Sequence, residues 1–491
     1  MLRSSILIFC FSVCVVSVYS QRRLDSLYFR SDLTADLESL QQELLKSHPG
    51  PFEFCDESFF QKVYEASNYA LEDRTSLAEF SLIVANLLNT LRDSHTAIDY
   101  GQLLDLQFSS GGYFMPLNLE LAEASGADRI LIVNDWEEKI TSGSELIAIN
   151  EVGTEKLLKR ALDYACIEGD AEDARKSVAV SILTICAGLK VPYSSLNQVR
   201  VVDFETGDTV DVSLRGFQRK EFYKERARRH QLKQPSPIRL KLDALNDMAL
   251  LQVSTFAPAS ARKYRKQLAD SFRKINESNL GNLVIDLRNN GGGSSSMVEY
   301  LYSFIDTSGY NTPSNIIGRN SRLASSRSRL MNSVFADIIM ALFFSRNEDV
   351  QSFRHFSQLA LGEVDTVYFK TPTKQAHNAV FSGSCFVLIN GLTASAAVDF
   401  TSAFRKRNRG VLVGRQCLGP ITGTWGNPAS FILPKTGLRV SIATIRYNYD
   451  NTFHYERAAI IPDHWVDRSA QDVHVDRDTP VDFIINLIRK K

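Results

Sequence analysis

LVIDLRNNGGGS, residues 283–294, has the pattern of a buried strand followed by a glycine turn and the start of a helix. The apolar run is short and ends at a turn, as in strands inside a parallel sheet. The turn leaves backbone N–H groups exposed near a helix N-terminus, where they favour a phosphate or a developing oxyanion. A phosphate loop is disfavoured, because no Gly-Lys-Ser/Thr follows and the spacing is not GxGxxG. A purely structural turn remains the alternative.

A second stretch, FVLINGLTASAA, residues 386–397, repeats the order of strand, turn and helix. It places Ser395 in the first turn of the predicted helix, where a hydroxyl is exposed and the N–H of Ala396 faces an oxyanion formed by attack on a carbonyl. The stretch lacks the GxSxG pattern of α/β-hydrolases. Taken alone, Ser395 is also consistent with a helix cap.

Strands and helices alternate around these two stretches. Strands are predicted at residues 249–253, 283–287, 385–389 and 411–413, and helices at 261–275, 294–304 and 395–405, with an apparent insert at 321–361. Strands separated by helices pair in parallel under a helical cover, so residues 238–491 are predicted to form a mixed α/β domain.

The chain before this domain divides into three predicted regions. Residues 21–110 form a helical region, with apolar residues at helical spacing and a capping box at Ser76 and Glu79. Residues 111–214 are richer in strands, and the segment GSELIAIN at 143–150 resembles the turn and strand of PDZ domains. Residues 215–237 form a basic linker, either a solvated helix or a basic interaction surface.

Composition and targeting signals narrow the class of protein. Lys and Arg total 56, as do Asp and Glu, so the formal charge is zero and a nucleic-acid binder is disfavoured. Residues 1–20 have the pattern of a secretory signal peptide, with an uncleaved anchor as the alternative. No later stretch is long and apolar enough for a membrane helix. A secreted or periplasmic protein without a stable membrane span is therefore expected.

The cysteines favour buried thiols. Beyond the predicted signal peptide the chain has Cys55, Cys166, Cys186, Cys385 and Cys417. Their odd number and wide spacing fit neither a dense disulfide framework nor a CxxC metal pattern, although one disulfide remains possible.

Five segments in order resemble the tail-specific, or C-terminal-processing, serine peptidase family. Besides the two stretches above they are LRDSHT at 91–96, VGR at 413–415 and IPD at 461–463. The resemblance covers about residues 238–466, and more loosely the whole mature chain. It implies a peptidase core of the ClpP/crotonase type with an N-terminal helical region and a PDZ-like β-rich domain. It also implies a peptide or protein substrate and no cofactor or metal; the sequence sets no expectation for the oligomeric state.

The family uses two catalytic arrangements. In the processing proteases the serine is paired with a downstream lysine in a Phe-Gly-Lys segment, but here that segment reads LGP and ends at Pro420, which has no side-chain amine. Tricorn-like members take the base from an upstream Ser-His pair and add a glutamate before the Pro-Asp segment. This chain has Ser94 and His95, and Glu456 lies six residues before Pro462. The match favours the tricorn-like type.

The resemblance then implies a role for each residue. Ser395 is the nucleophile, and His95 is the general base that returns the proton to the leaving amine. Glu456 accepts a hydrogen bond from Ser94 or the substrate side and helps to orient His95. The N–H groups of Gly291 or Gly292 and of Ala396 hold the oxyanion. Asp286 and Arg288 are expected to brace the strand and the turn.

Several alternatives stay open. His95 is also consistent with a helix cap, Ser94 with a turn, Glu456 with an exposed carboxylate, and His454 is a rival base. A binding protein that keeps the fold without activity would account for the missing lysine. A metal-dependent hydrolase has little support, because the histidines are scattered and none forms HExxH.

Overall fold

A computed structural model describes residues 22–124, 127–232, 236–307, 314–324, 354–369, 380–449 and 457–490. The predicted signal peptide, most of the predicted insert, His454 and Glu456 lie outside these residues. Within the described part of the chain, no helix combines the length and apolar character needed to cross a bilayer.

The N-terminal region is a layer of helices. It contains β1 (Leu27–Phe29), α1 (Arg30–Ser47), α2 (Glu57–Tyr69), β2 (Arg74–Ser76), α3 (Leu77–Asn89) and α4 (Tyr100–Ser109). The predicted capping box at the start of α3 is present, with Ser76 and Glu79 each accepting from the other's backbone N–H. The loop between α3 and α4 carries Ser94 and His95.

A β-rich region follows. Its elements are β3 (Leu117–Ala124), β4 (Ala127–Asp135), β5 (Glu145–Ile149), β6 (Val152–Gly153), α5 (Thr154–Tyr164), α6 (Glu172–Lys190), β7 (Leu196–Val202) and β8 (Thr209–Arg215). The strands form an antiparallel sheet in the order β3-β4-β5-β7-β8, with β6 paired to β5. One apolar cluster runs from α1 through α6 and this sheet, so the helical and β-rich regions pack as one body. The basic segment forms α7 (Arg219–Leu232).

The C-terminal half is built on a second six-stranded sheet. Its first elements are β9 (Ile238–Asp243), β10 (Met248–Val253), α8 (Ala261–Glu277), β11 (Asn282–Asp286), α9 (Ser295–Tyr302), β12 (Asn315–Arg319) and β13 (Val364–Tyr368). Then come β14 (Ser384–Ile389), α10 (Ala396–Lys406), β15 (Gly410–Gly414), β16 (Gly423–Gly426), β17 (Ala429–Ile432), β18 (Arg439–Ile442) and β19 (Ile445–Asn448). The last are β20 (His464–Trp465), α11 (Ala470–His474) and α12 (Thr479–Arg489).

The second sheet has the order β20-β15-β14-β11-β10-β9. All pairs except β9 with β10 are parallel, which confirms the predicted mixed α/β core. Helices α8, α9 and α10 cover one face through side chains such as Phe272 and Phe400, and α12 covers the other through Ile484. Because β11 and β14 are neighbours, the turns that follow them lie side by side at one edge of the sheet.

Two smaller sheets connect the halves. Strands β13, β12, β19 and β16 form one, and β17 and β18 form a hairpin. Residues just after His95 pair with this hairpin, since Ala97 and Ser441 exchange backbone hydrogen bonds of 3.2 and 2.8 Å. This pairing brings the helical region against the C-terminal half.

Candidate active site

Ser395 lies at the N-terminus of α10 in a strained backbone conformation. Its φ is 52° and its ψ is −125°, values that a residue with a side chain rarely adopts. It makes no side-chain capping bond to the helix, which argues against the alternative of a simple cap. Strain of this kind is held in place by the surrounding structure and concentrates at functional sites.

The glycine turn contacts Ser395 directly. A Cβ on Gly292, whose φ is +96°, would lie 2.7 Å from the Ser395 Cβ and 2.8 Å from the Ala396 nitrogen, so only glycine allows this approach. The Gly292 N–H donates to Asn290 Oδ1 at 2.9 Å. Among the described residues, the N–H groups of Gly291 and Ala396 have no protein acceptor.

Two asparagines join the glycine turn to the serine turn. The Asn289 N–H donates to Asn390 Oδ1 at 3.0 Å, and Asn390 Nδ2 donates back to Asn289 Oδ1 at 2.9 Å. The Ala394 N–H donates to the carbonyl of Asn290 at 3.0 Å. Asn289 has a φ of 61°, which asparagine tolerates better than most residues.

The loop after α3 brings His95 to the serine. His95 Nε2 lies 3.3 Å from Ser395 Oγ, across 300 residues of sequence. On the other side of the ring, Nδ1 lies 3.3 Å from Ser94 Oγ and 3.4 Å from Glu168 Oε2. With the proton on Nδ1, the ring presents the Nε2 lone pair to the serine hydroxyl.

The carboxylate beside His95 belongs to Glu168, in the loop between α5 and α6. Its Oε2 accepts from the Ser94 hydroxyl at 2.6 Å and from the Ser94 N–H at 3.1 Å. Its Oε1 accepts from the Trp425 N–H at 2.5 Å and lies 3.1 Å from Thr424 Oγ1. The Glu168 side chain is fully buried, so these donors stabilise its charge.

The electrostatics favour a basic imidazole. Burial by itself lowers the pKa of His95, but the hydrogen bond to Glu168 and the charges of Glu168 and Asp93 outweigh it, so the pKa of His95 lies above its ordinary value. A raised pKa makes the neutral imidazole a stronger base toward the Ser395 hydroxyl.

Three of these groups also form a possible metal cluster. The donor atoms of Asp93, His95 and Glu168 come within 4.8 Å of one another. Each carboxylate already accepts hydrogen bonds from hydroxyl and backbone N–H donors, among them those of Ser94 and Thr96. We therefore interpret the cluster as a hydrogen-bonding network around the imidazole.

The structure brings together Ser395, His95, Ser94, the glycine turn and Ala396. Glu456 and His454 lie outside the described residues, so their roles stay predictions. Sequence reasoning missed Glu168, whose only local signal is a Glu-Gly pair between two helices.

Two further sequence expectations concern the surroundings of the site. Pro420 lies in a segment beside the serine turn, because the Leu418 N–H donates to the carbonyl of Thr393 at 2.9 Å. Arg288 pairs with Asp286 at 2.8 Å and with Asp478 at 2.7 Å, so it braces the strand end as expected.

The site contains a serine hydroxyl, an imidazole and a buried carboxylate within hydrogen-bonding distance of one another, in that order. Backbone N–H donors without a protein acceptor lie beside the serine. This arrangement on an α/β core is typical of a serine-type hydrolase. Residues 247–466 match the model of Peptidase family S41. This part of the chain, which carries Ser395 and the glycine turn, matches the tail-specific serine-type peptidases of that family.

Two solved structures of CPAF agree with this fold. Mature CPAF complexed with lactacystin aligns with a TM-score of 0.62 at 16% identity, over 94% of this chain and 98% of that one. Mature CPAF aligns with a TM-score of 0.60 at 16% identity, over 94% and 97% of the two chains. The photosystem II D1 C-terminal processing protease aligns with a TM-score of 0.42 at 13% identity, over 89% and 93%. A sequence search of curated proteins finds no match.

Proposed function

We propose that the protein hydrolyses peptide bonds, with Ser395 as nucleophile and His95 as general base. The observation that carries the proposal is the 3.3 Å approach of His95 Nε2 to Ser395 Oγ. This distance suits proton transfer, since hydrogen bonds of apo active sites are often somewhat long.

The reaction follows from the geometry. His95 Nε2 takes the hydroxyl proton as Ser395 Oγ attacks the carbonyl carbon of the scissile bond. The protonated ring then gives that proton to the leaving amine, which departs and leaves an acyl ester on Ser395. Water, deprotonated by the same imidazole, hydrolyses the ester and restores the serine.

Glu168 and Ser94 orient the imidazole in this proposal. They fix the proton on Nδ1, and the charge of Glu168 stabilises the imidazolium that forms during attack. Glu168 thereby takes the part that the sequence analysis predicted for Glu456.

The oxyanion is held by backbone donors. Gly291 and Ala396 supply the N–H groups, whereas Gly292 has a steric role, because its own N–H is engaged by Asn290. Loss of one such donor typically costs about 10²- to 10³-fold in kcat.

The substrate is an extended peptide laid along a strand edge at residues 431–434. Among the described residues, β17 pairs only with β18, which leaves its outer edge open. Ile432 is 46% exposed on this strand. An added strand would gain affinity from backbone pairing and selectivity from side-chain pockets.

Labelling with a fluorophosphonate probe tests the nucleophile. Wild-type protein should be labelled at Ser395, and Ser395→Ala should lose both the label and the hydrolysis of a mixed peptide library. Ser357→Ala, which removes an exposed serine hydroxyl remote in sequence, is the matched control and should keep both. Labelling that survives Ser395→Ala would contradict the assignment.

His95→Ala separates a peptidase from a binding protein with the same fold. A peptidase loses cleavage in this variant, because Ser395 loses its base. A protein that only binds peptides shows no difference in cleavage from wild type.

We also place the mature protein outside the cytoplasm, on the strength of the signal-peptide pattern in residues 1–20. Expression of the full chain in a secretory host should release protein whose N-terminus is Gln21. Retention of residues 1–20 in the cell-associated protein would contradict secretion.

A further inference from the structure

Asp93 is a buried carboxylate that the proposed reaction does not use. Its side chain is 1% exposed. Oδ1 accepts the backbone N–H of His95 at 2.8 Å, and Oδ2 accepts from His48 Nε2 at 3.1 Å and from the Thr96 hydroxyl. Three donors from different groups fix the orientation of this carboxylate.

His48 is held in one tautomer. Its Nδ1 accepts the N–H of Gly50 at 3.1 Å, so the ring proton is on Nε2 and points to Asp93. The ring packs on Trp425 with centroids 4.2 Å apart. The backbone N–H of Trp425 donates to Glu168, so the same residue contacts Glu168 and the histidine that binds Asp93.

The Nδ1 atom of His95 faces both of these carboxylates. Its Nδ1 is 3.4 Å from Glu168 Oε2 and 3.8 Å from Asp93 Oδ1. Burial opposes ionisation of Asp93, but its hydrogen bond with His48 and the nearby imidazoles outweigh burial and lower the pKa of Asp93. Asp93 is therefore negatively charged wherever His95 titrates.

We propose that Asp93, oriented by His48 and Thr96, is a positioning residue for His95: it fixes the backbone of His95 and places a second negative charge beside its ring. This inference rests on the proposed function, in which His95 is the base. It adds a second carboxylate to that of Glu168 on the Nδ1 side of the ring, opposite the nitrogen that faces the serine.

Other charged groups near the ring do not substitute for Asp93. Glu53 and Arg446 lie behind Trp425 and form their own ion pair at 2.8 Å, with the Arg446 guanidinium 5.2 Å from the Trp425 ring. Their charges offset each other. The charged groups that act on His95 are thus Glu168 and Asp93.

The test measures the titration of His95 directly in the full chain. NMR titration of the histidine ring protons, with His95 assigned by its absence in His95→Gln, gives its pKa in wild type and in Asp93→Asn. We expect the pKa of His95 to fall by about one pH unit in Asp93→Asn, since a charge at this distance typically shifts a pKa by about 1–3 units. The acid limb of the pH profile of fluorophosphonate labelling should move to lower pH by the same amount, because the neutral base is then available at lower pH.

Asp135→Asn is the matched control. Asp135 is another buried carboxylate that accepts backbone N–H groups, in the β-rich region and away from the site. It should leave the pKa of His95 unchanged. An unchanged pKa in a folded Asp93→Asn would overturn the proposal.

In Asp93→Asn the new amide NH₂ group faces the N–H of His48, and this clash of two donors is the reason that the variant would fail to fold. A second variant keeps the proposal testable in that case. The double variant Asp93→Asn with His48→Leu removes both the charge and that donor, and the same fall in the pKa of His95 is expected. The NMR result does not depend on peptide cleavage, so it stands apart from failure of the proposed function. Such a failure would show as unlabelled Ser395 in a wild type whose His95 titrates normally.

Discussion

In the proposed mechanism, the carboxylate of Glu168 sets the basicity of His95. It accepts from Ser94 and lies 3.4 Å from His95 Nδ1, and it holds the pKa of His95 above its ordinary value of about 6.5 despite the lowering effect of burial. Attack needs the neutral ring, so kcat/KM should fall as pH drops through this raised pKa. The wild-type acid limb is therefore expected to have its midpoint above about pH 6.5.

Glu168→Gln tests this role. The charge that stabilises the imidazolium is lost, so kcat should fall by about 10²- to 10⁴-fold with little change in KM. The pKa of His95 falls too, which moves the acid limb to lower pH. Peptide-cleavage kinetics across pH measure both effects. Glu155→Gln, an exposed glutamate on α5, is the control and should match wild type; equal kcat in both variants would refute the role of Glu168.

Sequence reasoning pointed to candidate residues that lie in motifs and did not point to Glu168, which lies in none. Ser395 and His95 stand in segments whose residue types and order are specific, and the structure brings them within hydrogen-bonding range. Glu168 has no marked neighbours in sequence. Its role depends on Trp425, 257 residues away, and on Ser94, 74 residues away, contacts that only the folded chain creates.

Two similar units, each a strand followed by a turn and a helix, form the edge of the second sheet that carries the candidate site. Each was predictable because a short apolar run, a turn and a helical pattern follow one another. The parallel pairing of these strands was predictable from the alternation of strands and helices. Which strands are neighbours was not, because the alternation does not fix the strand order. The parallel register of β11 with β14 places both turns at one edge.

The bonds between Asn289 and Asn390 should keep these turns in register. In Asn390→Ala the glycine turn and the serine turn lose two mutual hydrogen bonds, and a small shift of the oxyanion donors relative to Ser395 lowers kcat by about 10-fold or more. The free energy of unfolding should change by only about 1 kcal/mol, because both side chains are near solvent. Steady-state kinetics and urea denaturation measure the two quantities.

A double-mutant cycle shows whether the pair acts as a unit. Asn289→Gly keeps the positive φ, and in the Asn390→Ala background it should cost little further activity. Asn279→Gly is the control, because Asn279 has a similar φ of 53° at the end of α8. Additive losses from Asn289→Gly and Asn390→Ala would contradict a shared role.

The candidate site lies where the two halves of the molecule meet. The N-terminal body supplies His95 and Glu168, and the C-terminal half supplies Ser395 and Trp425. Sequence patterns predicted elements within each half, but the single apolar core of the helical and β-rich regions depends on packing between distant segments. The predicted division at residue 110 therefore stays a prediction.

The loop that carries Glu168 is docked across the boundary between the halves. The Gly169 N–H donates to the Arg92 carbonyl at 3.0 Å, and the Asp170 N–H donates to the Arg457 carbonyl at 2.8 Å. Further along, Arg415 forms ion pairs with Asp173 at 2.6 Å and with Asp467 at 3.1 Å. These contacts set the position of Glu168 from both sides.

Gly169→Ala should disrupt this docking. Gly169 has a φ of +60°, and a Cβ there would lie 2.5 Å from the Arg457 carbonyl oxygen, so the loop must move away and carry Glu168 from His95. We expect kcat to fall at least as far as in Glu168→Gln and the free energy of unfolding to fall by about 1–3 kcal/mol. Gly207→Ala is the matched control: Gly207 has a φ of +74° with open space around its Cβ position, so it should lose about 1 kcal/mol of stability and keep its activity. Full activity in Gly169→Ala at a stability equal to that of Gly207→Ala would show that the position of Glu168 does not depend on this contact between the halves.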